Sequence, residues 1–431
     1  MRRVVILALA ALLLPVGSAS ADPTRLLGFG TRGMAHAGAM LHFDDPIAAA
    51  VNNPAMLAAT DGRPQIGGGY VFARPKLDLN GADANLINVR AFYGGLSVPF
   101  SVKEWDFGFG VSAHLPDQFL LRIHTVPATQ PRAVMWDAPP HRLVANFALA
   151  ARFKDLVAIG AGISVFVKFE AEYLNFDIDA TPGRTRATSS LDFRFPLLIA
   201  PVLSVLVTPT PWLRLSARYT GDTELSLALP IVAQVRVPGT TVDGPIGLLF
   251  AGPSIYSPRE LAVGGSADWK KLRVSAELLF QNWKALDAVS ARIITQFDES
   301  EIGVEVPASD FVAPPPGYKN TFSPRVSGAY AFDVDVYTLV LRAGYSFVPT
   351  PVPAQRGLTN FADSNRHVIG LGGTFEFNWD WLDLPFALDA GVQFQRMTPR
   401  TSHKDDPLSP GGDLSIVGMV YAVSVGGRVS W

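Results

Sequence analysis

The 431-residue chain contains no cysteine, which removes disulfide scaffolds, thiol nucleophiles and cysteine-based metal sites together. Charge is also scarce. Asp, Glu, Lys and Arg make up 17% of the residues, against about 25% for an ordinary soluble domain. The signs are almost balanced, 36 basic against 38 acidic residues, which argues against a protein that coats nucleic acid. Long apolar runs are missing too. A helical span needs about 20 apolar residues, and no segment supplies them. The chain nevertheless is 48% hydrophobic and rich in aromatics, Gly and Pro. A closed β-barrel reconciles these facts, because its apolar face is hidden in alternation that a hydropathy window does not register.

The N-terminus reads as an export signal. Arg2 and Arg3 precede the apolar run Val4 to Leu14, and Ser18-Ala19-Ser20-Ala21 offers small residues for cleavage after Ala21. The run is too short to cross a bilayer. Residues 1–21 are therefore expected to be a cleaved signal peptide.

Alternation is plain in the C-terminal segment. Val417, Met419, Tyr421, Val423, Val425, Gly427, Val429 and Trp431 share one face, and mostly small or polar residues occupy the other. Successive strand side chains point to opposite faces, so one row can meet lipid and the other a lumen. The same pattern covers Leu213 to Thr220, Leu272 to Gln281, Tyr337 to Phe347 and Ile369 to Phe377. A soluble sandwich also alternates. The long runs, the export signal and the aromatic ending inside the last strand favour the barrel. Between the runs lie stretches that read as loops: Pro127 to Pro140, Thr181 to Ser190, Pro238 to Pro258, Asp298 to Pro316, Pro349 to Asn365 and His403 to Gly412.

Residues 22–64 break the pattern. They are rich in Ala, Met and Gly, with little charge. Gly33 to Leu41 suits a short helix. Asp45-Pro46 reads as an N-cap followed by Pro at N1, opening Ile47 to Val51. Pro54 stops that helix, and Ala55 to Ala59 can begin another turn. Such a segment ahead of a barrel fits a plug in the lumen, since a free tail would be more polar. Gly28-Phe29-Gly30-Thr31-Arg32-Gly33 matches G-x-G-x-x-G, but a dinucleotide site needs a preceding strand, and there is no room for one.

Several segments together resemble the FadL/TodX family of outer-membrane transporters for long-chain fatty acids and other hydrophobic compounds. They are Gly28-Phe29-Gly30, Arg32-Gly33-Met34-Ala35, Ala37-Gly38-Ala39, Asp44-Asp45 and Asn53-Pro54-Ala55, then Ser257-Pro258-Arg259-Glu260-Leu261, Gln281-Asn282-Trp283 and Tyr318-Lys319-Asn320-Thr321. Leu341-Arg342-Ala343-Gly344-Tyr345, Pro349-Thr350-Pro351-Val352-Pro353 and Asp363-Ser364-Asn365-Arg366-His367 follow in family order. Thr125 to Arg194 matches least, and Trp431 replaces a more usual Phe.

The resemblance implies an all-β membrane protein, a 14-stranded antiparallel barrel over residues 65–431 with a partly helical hatch over 22–64. It implies passive transport of long-chain fatty acids by external capture, hatch movement and lateral exit at a kinked third strand. That gate strand would carry Phe107, Gly108, Phe109 and Gly110, whose glycines equally suit plain barrel curvature. A carboxylate cargo wants a lumen cation, and Lys319, Lys168, Arg325, Arg342 and Arg366 are the candidates, each of which could instead balance lumen acids. Leu26, Leu27 and Phe29 are expected to line an inner pocket, and Asn53, Pro54 and Ala55 to form the hatch motif. Implied partners are the hydrophobic ligand, outer-membrane lipid and lipopolysaccharide, and the barrel-assembly machinery through the C-terminal strand. A monomer without nucleic acid, metal or cofactor is expected. No P-loop, H-E-x-x-H or G-x-S-x-G motif suggests an enzyme. A hydrocarbon channel of the same family, a general porin and a barrel lipid hydrolase remain as alternatives.

Overall fold

The computed structural model describes residues 24–60, 62–119, 122, 131–137, 140–167, 170–181, 184–236, 243–286, 292–297, 317–356, 360–379, 384–404 and 412–431. The expected signal peptide, Lys168 and the whole Asp298 to Pro316 stretch lie outside the described residues.

Fourteen strands close into one antiparallel barrel. In chain order they are β1 (Gln65–Leu79), β2 (Val89–Val102), β3 (Trp105–Pro116), β4 (Val144–Phe153), β5 (Val157–Val167), β6 (Leu197–Thr210) and β7 (Leu213–Thr220). There follow β8 (Glu260–Trp269), β9 (Leu272–Gln281), β10 (Thr321–Val334), β11 (Tyr337–Val348), β12 (Arg366–Trp379), β13 (Leu384–Met397) and β14 (Leu414–Ser430). Each pairs with the next, and β14 pairs β1 from Gln65↔Ser430 to Leu79↔Ile416, so no edge is left open. Closure is what allows a sheet to stand in hydrocarbon, where an unpaired ladder finds no water.

The alternation seen in the sequence is the lipid–lumen division. Val417, Met419, Tyr421, Val423 and Val425 are exposed on the outside of β14, while Val420, Ala422 and Ser424 are buried inside. Aromatic side chains gather near both rims of the outer face. Phe100, Trp105, Trp212 and Trp269 stand beside the short turns, and Phe92, Phe195 and Phe322 beside the long connections. An apolar belt between two aromatic girdles is the signature of a transmembrane barrel of the outer-membrane type. The short turns then mark the periplasmic rim.

Two stretches read as loops are strands. Arg184–Arg194 pairs with Glu170–Thr181, and Asp243–Ser257 pairs with Thr223–Arg236. With Arg292–Phe297 they form a separate five-stranded sheet built from the long connections between barrel strands. Asp243–Ser257 carries Pro245, Pro253 and three glycines and so resembles a loop in composition, and Pro253 falls beside the register shift against Thr223–Arg236, where a bulge tolerates it. Phe361–Ala362 also pairs with Arg132–Ala133, which ties the β11–β12 connection to the β3–β4 connection.

Residues 24–58 lie inside the barrel. They form α1 (Thr24–Leu27), α2 (Gly30–Ala35), α3 (Ala49–Asn52) and a 3₁₀ turn (Pro54–Ala58). Helix α2 is shorter than expected because Ala37 and Gly38 take positive φ angles of 50° and 80° and turn the chain. Helix α3 begins at Ala49 rather than Ile47. Its N-cap is Ala48, and Asp45 makes no side-chain capping bond. Asp45 instead is buried within the electrostatic reach of Arg32.

The wall is thinned where the hatch touches it. Gly108 and Gly110 on β3 face the lumen, and a Cβ at either would overlap Leu57 of the 3₁₀ turn. A Cβ at Gly160 on β5 would overlap the Pro54–Ala55 backbone. The strand itself stays regular. It pairs β2 from Val102↔Trp105 to Ala91↔Pro116 and β4 from Trp105↔Phe153 to His114↔Val144, without a register shift. The glycines of the third strand therefore seat the hatch. Gly108→Val is expected to displace the 3₁₀ turn while the barrel still folds. Planar-bilayer recordings should show raised conductance with unchanged heat-modifiable mobility on a gel, and unchanged conductance would refute the seat.

Candidate functional site

The hatch helices are only four to six residues long, so many of its backbone groups find no partner within them. Buried N–H and C=O groups need partners from somewhere. Wall side chains supply them. Ser346 Oγ donates to Ala37 O at 2.6 Å, Arg325 Nη1 to Gly38 O at 2.8 Å, Ser327 Oγ to Ala39 O at 3.3 Å, and Ser112 Oγ to Ile47 O at 2.6 Å. Arg218 Nη1 donates to Asn52 O at 3.1 Å. Leu41 N–H donates to Glu277 Oε1 at 2.7 Å, and Ala55 N–H to Ser204 Oγ at 2.8 Å. At the N-terminal end, Gln393 Nε2 donates to Leu27 O and Met34 O at 3.1 Å, and Gln395 Nε2 to Leu26 O at 2.7 Å. Asn53 joins two parts of the hatch and the wall, its Nδ2 reaching Leu41 O at 2.8 Å and Ser216 Oγ at 3.2 Å.

Ion pairs reinforce this ring at three places. Arg32 Nε lies 3.0 Å from Asp389 Oδ1, and both side chains are 5% exposed. Asp44 is held by Arg214 at 3.0 Å and Arg273 at 2.6 Å. Arg218 pairs with Glu260 at 3.0 Å beside the Asn52 carbonyl. Burial pushes the Asp45 carboxyl up to about 6, against the pull of Arg32.

On the long-connection side of the hatch lies an apolar cluster. Leu27 and Phe29 belong to it, with Leu26 packed at its edge. Phe29 meets Tyr93 edge to face at 5.8 Å. Trp283 is the hub of an aromatic chain, 5.9 Å from Tyr256 and 6.1 Å from Tyr318. Trp136, Phe361 and Val352 complete the outer part. Arg366, at the outer end of β12, places its guanidinium 5.5 Å from the Trp136 ring centre. Both residues are buried, and Arg366 Nη1 and Trp136 Nε1 have no hydrogen-bond partner. A buried donor without an acceptor costs about 1–3 kcal/mol, and more when charged. An acceptor-bearing guest would remove that cost.

The expected site residues therefore separate by place. Leu26, Leu27 and Phe29 sit in the apolar cluster, and Arg366 borders it. Lys319 is exposed at the outer rim beside buried Tyr318, and its backbone N–H donates to Pro351 O at 2.8 Å. Arg325 is committed to the hatch carbonyl of Gly38. Arg342 lies on the periplasmic side of the hatch, bonded to Thr374 Oγ1 and, at 3.4 Å, Val340 O. Trp136 and Asp389 were not singled out by the sequence, and Trp283 only as part of a family landmark, not as a site residue. Trp136 falls within a stretch read only as loop, and the Asp389 partner is 357 positions away. No group of His, Asp and Glu that could hold a metal occurs among the described residues.

No protein-family description matches the sequence, and no curated protein is similar to it. The fold has clear relatives among solved structures. A FadL homologue from Pseudomonas aeruginosa superposes with a TM-score of 0.58 at 16% identity, covering 94% of this chain and 98% of that one. The toluene transporter TodX of P. putida gives 0.57 at 14% identity, covering 94% and 99%. The CymD monoaromatic hydrocarbon channel gives 0.53 at 13% identity, covering 93% and 97%. This chain thus has the fold of those transporters and channels over nearly its whole length.

Removing Arg32 would leave Asp389 buried without its cation, a loss of about 3–5 kcal/mol where such a pair is broken. Arg32→Met is expected to speed proteolysis of the hatch in folded protein, and Arg32→Met with Asp389→Leu to restore much of the protection. Equal protection in all three chains would show that the pair does not hold the hatch.

Proposed function

We propose that this barrel carries hydrophobic molecules passively across the outer membrane, with long-chain fatty acids as its cargo. The observation that carries the reading is the apolar aromatic cluster above the hatch, bordered by a buried arginine whose Nη1 lacks a partner. Burying a hydrocarbon tail gains about 0.8 kcal/mol per CH₂, so such a cluster can capture a tail readily. Arg366 and Trp136 offer N–H groups to its carboxylate, and charge-assisted bonds of this kind are the strong ones. Lys319, exposed on the rim, is the first cation an arriving carboxylate meets.

Capture alone does not transport. The hatch blocks the lumen beneath the cluster, so the cargo moves on only when the hatch shifts. We place the lateral exit at β3. Gly108 and Gly110 leave that part of the wall without lumen side chains once Leu57 withdraws, and its ladders to β2 and β4, closed in this structure, have to part for cargo to pass. Exit into the bilayer keeps the tail out of water and needs no energy source beyond the gradient and consumption downstream.

A second reading has support of its own. The Trp136, Trp283, Tyr256 and Tyr318 aromatics suit a flat aromatic guest, and aromatic hydrocarbon channels are among the similar folds. Labelled oleate and labelled toluene, offered to a diderm host lacking its own transporter, separate the two. Oleate uptake that falls in Arg366→Gln, with the barrel folded, is the expected result. Toluene uptake alone, indifferent to Arg366→Gln, would favour the hydrocarbon channel. Entry of neither would overturn both.

A further inference from the structure

Below the hatch, the short-turn rim encloses a cavity of about 630 Å³. Its lining is half apolar. Met40, Phe43 and Pro46 come from the hatch, and Leu272, Ala329 and Val340 from the wall. The rest of the lining is charged or polar, and most of its cations already have a carboxylate. Arg32 has Asp389, Arg273 has Asp44 and Asp268, Arg428 has Glu376 at 2.5 Å, and Lys271 has Asp333 at 2.7 Å. Asp45 stands behind the lining, within reach of Arg32 and Arg342.

Among the described residues two lining cations have no carboxylate, Lys270, which is exposed, and Arg342, which is half-buried. The recorded hydrogen bonds of Arg342, to Thr374 Oγ1 and Val340 O, both leave from Nη1. Nε and Nη2 remain for something else. His36 stands nearby because Gly344, two residues along the same lumen-facing row, lies against the His36 backbone. The His36 ring stacks on Phe43 at 3.8 Å just beneath the cavity lining, where it is fully buried with no partner for either nitrogen, so a guest reaches it only as the Phe43 ring gives way. Burial, then the charge of Arg342, holds this imidazole well below its usual range, so it stays neutral and keeps one N–H donor.

A neutral donor and an unpaired guanidinium at one end of a half-apolar cavity suit a single kind of guest. We propose that the cavity beneath the hatch binds the carboxylate of an amphipathic monocarboxylic acid, through Arg342 and His36, with the adjoining apolar chain against Met40, Phe43 and Val340. The site is distinct from the outer cluster, from which the hatch separates it. Its occupant is either cargo that has passed the hatch, which rests on the transport reading, or an acid arriving from the periplasm.

The test uses the full-length folded chain in detergent, with the histidine rings isotope-labelled and the His36 signal assigned through His36→Gln. Octanoate, octanol and inorganic phosphate are the probes. Octanoate is expected to shift the His36 signal saturably, with octanol and phosphate weaker by about tenfold, the worth of one charge-assisted hydrogen bond. Arg342→Gln should weaken octanoate by a similar factor, and Arg342→Lys should restore much of it. A His36 signal that octanoate does not move, or octanol or phosphate binding as tightly, would overturn the proposal. So would Arg342→Gln binding like the parent while heat-modifiable mobility shows it folded. If that variant does not fold, the three-probe comparison on the parent chain decides alone. Oleate uptake then identifies the source. Slower uptake in Arg342→Gln marks the ligand as cargo, and unchanged uptake marks it as periplasmic. A parent chain that binds octanoate at His36 but takes up no oleate would keep this site and remove the transport reading.

Discussion

An irregular chain buried inside a barrel must have its backbone groups satisfied by the wall, and the rest of this structure follows from that need. Long helices and sheets largely satisfy themselves, but the hatch helices are only a turn or two long, and their end groups find no partner within them. Its carbonyls and N–H groups are met by Ser346, Arg325, Ser327, Ser112, Arg218, Ser204, Glu277, Gln393 and Gln395, which come from strands around most of the barrel. Where a lumen row meets the hatch backbone it therefore carries short polar side chains, most often Ser. The hatch sits close to the wall, so long side chains fit only where they end on a hatch carbonyl or a hatch carboxylate.

The same arrangement sets how the hatch can move. A neutral hydrogen bond between protein groups is worth only about 0.5–1.5 kcal/mol net, because water can replace either partner. Most hatch contacts are of this kind and exchange cheaply once water or a ligand enters. The buried Arg32–Asp389 pair and the Asp44 bridge to Arg214 and Arg273 are harder to replace. They fix the hatch toward the periplasmic rim, while its outer surface carries Leu27 and Phe29 into the apolar cluster. A guest that enters the cluster thus disturbs the weakly held side first. The division suits a plug that yields to a ligand without falling out.

How much of this was legible in the sequence depends on whether the informative partner lay nearby. The alternation of β14, β11 and β9 was readable because lipid and lumen impose opposite chemistries on neighbouring residues of one strand. The non-strand character of residues 24–58 was readable from composition. The strand count came from family resemblance, since short runs such as β7 give a faint signal. Gly108 and Gly110 were ambiguous because their reason is Leu57, some fifty positions away. Asp45 looked like a helix cap and is instead buried within reach of Arg32, which no local pattern reveals. Lys319 stood out beside a family landmark, whereas Arg366 owes its interest to Trp136 in a loop of no readable pattern. The strands at Arg184–Arg194 and Asp243–Ser257 were hidden by turn-like composition.

The absence of cysteine allows the central claim, that cargo passes only when the hatch moves, to be tested with one engineered pair. Ala55 N–H bonds Ser204 Oγ at 2.8 Å, so these two positions lie side by side across the hatch–wall boundary. Ala55→Cys combined with Ser204→Cys would lock the 3₁₀ turn to β6 on oxidation. The decisive measurement is the rate of labelled oleate uptake by cells carrying this chain, oxidised and then reduced. Uptake that stops in the locked barrel and returns with reductant is the predicted result. Equal uptake in both states would contradict the account, because the cargo would then be crossing past a hatch that had not moved.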